Sequence, residues 1–87
     1  MKFAYDDFKS DINKKKHGID FEEAQSLWND SEAVTIQAKS DTEPRYAFIS
    51  KIRGKYWVAF FTLRDEVVRL ISVRRARNNE KRVYDES

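Results

Sequence analysis

The chain has 87 residues, with no cysteine, two glycines, one proline and 37% charged side chains, the make-up of a single domain over residues 1–87 with a modest core. Without thiols, and with His17 as the one histidine, no disulfide and no Cys/His zinc site is expected, and nothing calls for a metal or a cofactor. The longest mainly apolar run, Tyr56 to Phe61, falls far short of the roughly 18 residues of a membrane span. Met1 is followed by no apolar leader, so a cytoplasmic protein with no membrane partner is expected.

A net charge of +2 hides an asymmetry about the single proline. Residues 1–44 carry six Lys/Arg against ten Asp/Glu, a balance of −4, and residues 45–87 carry eleven against five, a balance of +6. Eight of those eleven cations are arginine. Guanidinium offers phosphate a rigid two-pronged donor set, so the bias points to a polyanion-binding face or an acidic partner.

Phe3 to Tyr5 read as a short, extended start. Asp6 or Asp7 can cap a first helix, with Phe8 and Ile12 four apart as its apolar stripe. Lys14 to Lys16 complement the negative end of its dipole, and Gly18 ends it. Asp20 and Glu23 form a capping box for a second helix, whose buried side is Phe21, Ala24, Leu27 and Trp28. From Ala33 the pattern turns to strands: Ala33 to Ala38, Arg45 to Ile52, Tyr56 to Arg64, and Val67 to Arg75, the last two joined through Asp65 and Glu66 as an antiparallel hairpin. Asn78 or Asn79 can cap a short last helix anchored by Val83 and Tyr84. The expectation is an α+β domain: an antiparallel sheet of about four strands, two N-terminal helices and a short C-terminal helix.

Lys16-His17-Gly18-Ile19-Asp20-Phe21-Glu22-Glu23-Ala24, Thr62-Leu63-Arg64 and Arg69-Leu70-Ile71-Ser72-Val73-Arg74-Arg75-Ala76, followed by Glu80 and Tyr84, resemble in order and spacing the BrnT family of toxins. Tyr5 stands where that family usually has Trp, Val73 where it has Ala, and Lys81 where Arg is common. The resemblance implies a RelE-like fold and a type II toxin, a metal-independent ribonuclease that cleaves RNA and stops translation. It also implies a BrnA-type antitoxin, in an assembly of two toxins and two antitoxins, whose DNA-binding end reaches operator DNA.

Cleaving RNA without a metal requires a base for the 2′-OH proton, an acid for the leaving 5′-oxygen, and cations for the charge growing on phosphorus. Arg64 and Arg74 are the candidate cations, on the expectation that the hairpin brings them close together; the bland alternative makes them ion-pair partners of Asp65, Glu66 or Glu80. His17 has the ring type suited to proton transfer near neutral pH, though a histidine at a helix end often only caps carbonyls. Lys16 is an alternative acid or cation. Glu43 and Glu80 are candidate bases, Glu80 fitting a helix first turn equally well. Arg45, Arg69, Arg75, Arg77 and Lys81 are candidate RNA contacts, and Tyr84 either stacks a base or pins the last helix. Trp28 and Trp57 read as core. The competing function is a binding module without turnover, using the same arginines.

Overall fold

A computed structural model describes residues 1–87. Its elements are β1 (Lys2–Ala4), α1 (Asp7–His17), α2 (Phe21–Ala24) running into a 3-10 turn (Gln25–Asn29), β2 (Val34–Ala38), β3 (Arg45–Ile52), β4 (Lys55–Arg64), β5 (Val67–Arg75) and α3 (Asn78–Glu86). The α+β class is as expected, but the sheet has five strands in the order β1-β5-β4-β3-β2. It is also mixed, because β1 runs parallel to β5, placing Phe3 beside Val68. Three residues are too few to show strand periodicity. What recruits them is Phe3, whose ring meets Trp28 edge-on at 5.1 Å.

The caps of α1 follow from its sequence. Asp6 accepts from the backbone N–H groups of Phe8 and Lys9 at 2.8 and 3.2 Å. Gly18, at φ +80°, donates its N–H to the Lys14 carbonyl, a left-handed turn that costs glycine little. The stripe of α1 is a correction. Phe8 and Ile12 are 72% and 38% exposed, and the buried residues are Ser10 and Asn13. Beyond the end of β1, Asn13 pairs with the backbone of β5. Its Nδ2 donates to the carbonyls of Val73 and Ile19 at 2.9 and 2.8 Å, and its Oδ1 accepts from the Val73 N–H at 3.1 Å. Ser10 Oγ accepts from the Phe21 N–H. Backbone groups at a sheet margin need partners more than two apolar side chains need burial, and that need sets the rotation of α1.

The capping box of Asp20 and Glu23 forms with both bonds in place. The helix it starts is one turn long before it tightens into the 3-10 turn. Even so, Phe21, Ala24 and Leu27 are buried, and Trp28 stacks on Phe48 at 4.1 Å. They close one face of the sheet over Phe48, Ala59, Phe61, Val68, Leu70 and Val73.

The opposite face is covered only in part. Ala47, Ile49 and Val58 lie beneath Tyr84 and Ala76, yet α3 buries none of its own residues. Polar contacts hold it: Tyr84 OH donates to Asp30 and Tyr56 OH to Asp85, each at 2.8 Å. Its start is also one residue earlier than expected, with Arg77 at the cap position. No helix is long and apolar enough to cross a membrane.

Candidate nucleic-acid interface

Asp65 and Glu66 adopt φ of +52° and +66°, the left-handed pair of a two-residue hairpin turn. Such a turn fixes the register: Arg64 faces Val67, Thr62 faces Arg69 and, past a bulge, Val58 faces Arg74. Arg74 therefore stands six residues along the sheet from Arg64, about 20 Å at 3.3 Å per residue. The expected juxtaposition of Arg64 and Arg74 does not form, because the hairpin joins Arg64 to the start of β5 and Arg74 lies near its end.

The register assembles a different group. Alternation puts Phe60, Thr62 and Arg64 on the α3 side of β4, with Arg69 and Arg74 from β5 on that same side. Tyr46 pairs with Phe61, so Arg45, one residue earlier on β3, reaches Thr62 from the other flank. Arg45 and Arg69 thus bracket Thr62 at about 10 Å, two strand spacings. Thr62 is only 4% exposed between them. The next row is Ala47, Phe60 and Ser72. Because α3 covers the rows beyond, Arg45, Arg64 and Arg69 remain exposed on the open half of the face.

Arg64 has a loose partner, Glu43, at 3.3 Å, with the two side chains 71% and 46% exposed. Such surface pairs exchange readily for another anion. Arg74 is held differently. Its two terminal nitrogens fork onto Glu80 at 2.8 Å each, in a pair only 22% and 15% exposed, and its guanidinium lies 5.1 Å above the Phe60 ring. The bond from Arg74 holds the Glu80 carboxyl below the usual range, assisted by the Arg77 N–H against the pull of burial. That carboxylate is a poor proton acceptor near neutral pH, and it cancels the Arg74 charge.

Lys16 and His17, in the last turn of α1, line a cleft of about 180 Å³ with Lys9, Ile12, Ile71 and Ser72. Ser72 belongs to the Phe60 row, so this margin adjoins the open face. Arg75 does not join it, since it points to the other side of the sheet and covers Trp57 at 5.3 Å. Arg77 is exposed at the start of α3, and the Lys81 ammonium sits 5.6 Å over the Tyr56 ring. Burial first, then the bond to Asp30, pushes the Tyr84 phenol up to about 12. With its proton committed and its ring edge-on to Tyr56 at 5.5 Å, Tyr84 pins α3.

Four residues of the region were not among the site residues expected from the sequence, although Thr62 and Ser72 stand in the blocks that carry the family resemblance. Thr62, Phe60 and Ser72 form the floor of the face, and the two-residue turn was the signal that would have aligned them with Arg45 and Arg69. The fourth, Asp30, joins three elements by accepting from Tyr84 OH, Ser50 Oγ and the N–H groups of Lys51 and Glu32. Burial raises its carboxyl, but those donors outweigh it and leave the group below its ordinary value.

The profile of the ribonuclease toxin BrnT, from type II toxin–antitoxin systems, matches residues 5–80. The chain belongs to the BrnT family. The match runs from Tyr5, two residues before α1, to Glu80 in the first turn of α3, so it contains Lys16, His17, all three arginines of the open face and the Arg74–Glu80 pair. Its BrnT membership makes the chain a ribonuclease toxin by family, with a protein antitoxin as the natural counterpart. Among curated proteins, none matches closely enough to add a relative.

Proposed function

We propose that this BrnT-family chain is a metal-independent endoribonuclease that binds RNA on the open half of its sheet and stops translation by cutting it. The observation that carries the reading is the row Arg45–Thr62–Arg69, with Arg64 beside it: three exposed guanidinium groups on one side of the sheet, left uncovered by a short α3. Arg45 and Arg69 grip the phosphates around the scissile linkage, and Arg64 releases Glu43 to add a third contact. The 2′-oxygen attacks phosphorus, its proton passes to a base, the bond to the 5′-oxygen breaks, and that oxygen takes a proton from an acid. The products are a cyclic phosphate and a free 5′-hydroxyl. His17 and Lys16, at the margin beside Ser72, are the proton-transfer candidates, with Glu43 the available carboxylate. Arg74 and Glu80 act as a positioning pair that fixes the start of α3.

Neutralisation falls to a BrnA-type antitoxin, two copies with two of this chain, which carries the contact to operator DNA. The test is incubation of the pure protein with a structured RNA in excess EDTA, beside an Arg45→Ala, Arg69→Ala variant with an unchanged circular dichroism spectrum. Discrete fragments from the wild type and none from the variant are expected. One observation favours a binding module without turnover: Arg74 and Glu80 neutralise each other. Retained binding with no fragments from the wild type selects that reading.

A further inference from the structure

On α1 the two largest apolar side chains face solvent. Phe8 is 72% and Ile12 38% exposed, and the folded chain uses neither in its core. At 100° per residue, Lys15, Phe8, Ile12, Lys16 and Lys9 follow one another around about a third of the helix. The result is an apolar pair fringed by three exposed lysines. The acids of α1 do not enter this stripe. Asp7 and Asp11 lie at its far border, toward Lys14, which is itself paired with Glu23 at 2.7 Å. On the near side the stripe opens into the cleft formed with Ile71 and Ser72 of β5, where β1 has ended and Asn13 is the partner of Val73.

An apolar strip bordered by cations on a chain whose N-terminal half is otherwise acidic selects its occupant by both properties. RNA would stack a base on Phe8 and pair its phosphates with the lysines, but it leaves the aliphatic Ile12 and Ile71 idle. A protein segment with aliphatic residues on one side and carboxylates flanking them uses everything present. We infer that α1 and its cleft with β5 dock an acidic amphipathic segment of the antitoxin; this rests on the toxin reading above. A segment seated there also covers Lys16 and His17, so docking excludes substrate from the proton-transfer margin while the arginine row need not be touched.

The test uses the full chain and, as probe, the purified product of the reading frame adjacent to its gene. Binding is measured by calorimetry, and RNA cleavage is followed with and without the probe. Phe8→Ser, outside the lining of the proton-transfer cleft, is expected to weaken binding at least 10-fold, and Lys15→Glu at least 5-fold. Both variants should cleave RNA at the wild-type rate and resist inhibition. Wild-type affinity in both variants overturns the docking site, as does a loss of RNA binding in place of partner binding. Failure of the probe to bind the wild-type chain overturns the antitoxin reading itself, and this inference with it.

Discussion

If RNA is held on the open face by Arg45, Arg64 and Arg69, its affinity must depend on salt in a way the structure fixes. Each phosphate neutralised on a single strand contributes a slope of about −0.7 to log K against log salt. Three exposed guanidinium groups therefore give a slope of about −2, whereas Arg74, already neutralised by Glu80 across 2.8 Å, adds nothing. Raising KCl from 50 to 200 mM should weaken binding about 16-fold, roughly 1.6 kcal/mol by the same relation. Replacing Arg69 with Gln should lower the slope to about −1.4, and replacing all three should bring it close to zero. Arg74→Gln should leave it unchanged or slightly shallower, because Glu80 then stands unpaired. Fluorescence anisotropy with a labelled, fully 2′-O-methylated RNA reads the slope without cleavage. A triple variant that keeps the wild-type slope, or a large loss confined to Arg74→Gln, would refute the placement.

Three further outcomes follow from the packing. Asn13→Ala removes three hydrogen bonds to the backbone of β5 and the loop after α1, about 1 kcal/mol each, and should cost about 3 kcal/mol in urea unfolding; a loss under 1 kcal/mol would contradict its role as substitute strand. Glu80 is held below its ordinary range when folded, so its contribution is complete above the unfolded value and lost as pH falls through the folded one; Glu80→Gln should flatten the acid limb of a Tm-against-pH curve, and an unchanged limb would contradict this. Tyr84 has the opposite sign. With its folded value raised to about 12, its contribution is whole below about pH 10 and fades as pH rises through 12, so Tyr84→Phe should lower Tm at pH 8 and bring wild type and variant together at alkaline pH.

Much of the fold was legible because it depends on local rules. The Asp20–Glu23 capping box, the left-handed Gly18 and strands β2 to β5 all follow from short-range chemistry in the sequence, with strand starts off by one residue at Val34 and Lys55. What escaped depends on partners distant in the chain. β1 is a strand because β5 lies alongside it, and α1 turns its polar side inward because Val73 needs a partner 60 residues away. The site divided in the same way. The bias toward arginine in residues 45–87 pointed to the surface where Arg45, Arg64 and Arg69 stand. The choice of Arg64 and Arg74 as neighbours ignored the register that a two-residue turn at Asp65 and Glu66 imposes. Counting back from that turn aligns Arg69 with Thr62 and carries Arg74 toward α3.

The placement of RNA on the α3 side of the sheet is tested most directly by side-chain NMR. The protein labelled with 15N at arginine Nε is titrated with the 2′-O-methylated RNA, and the eight guanidinium signals are followed. The account predicts that Arg45, Arg64 and Arg69 move together and saturate at one RNA concentration, while Arg74 keeps its Glu80-bonded position. Saturating shifts at Arg75 and Arg53, with the first three unmoved, would put the RNA elsewhere and contradict it.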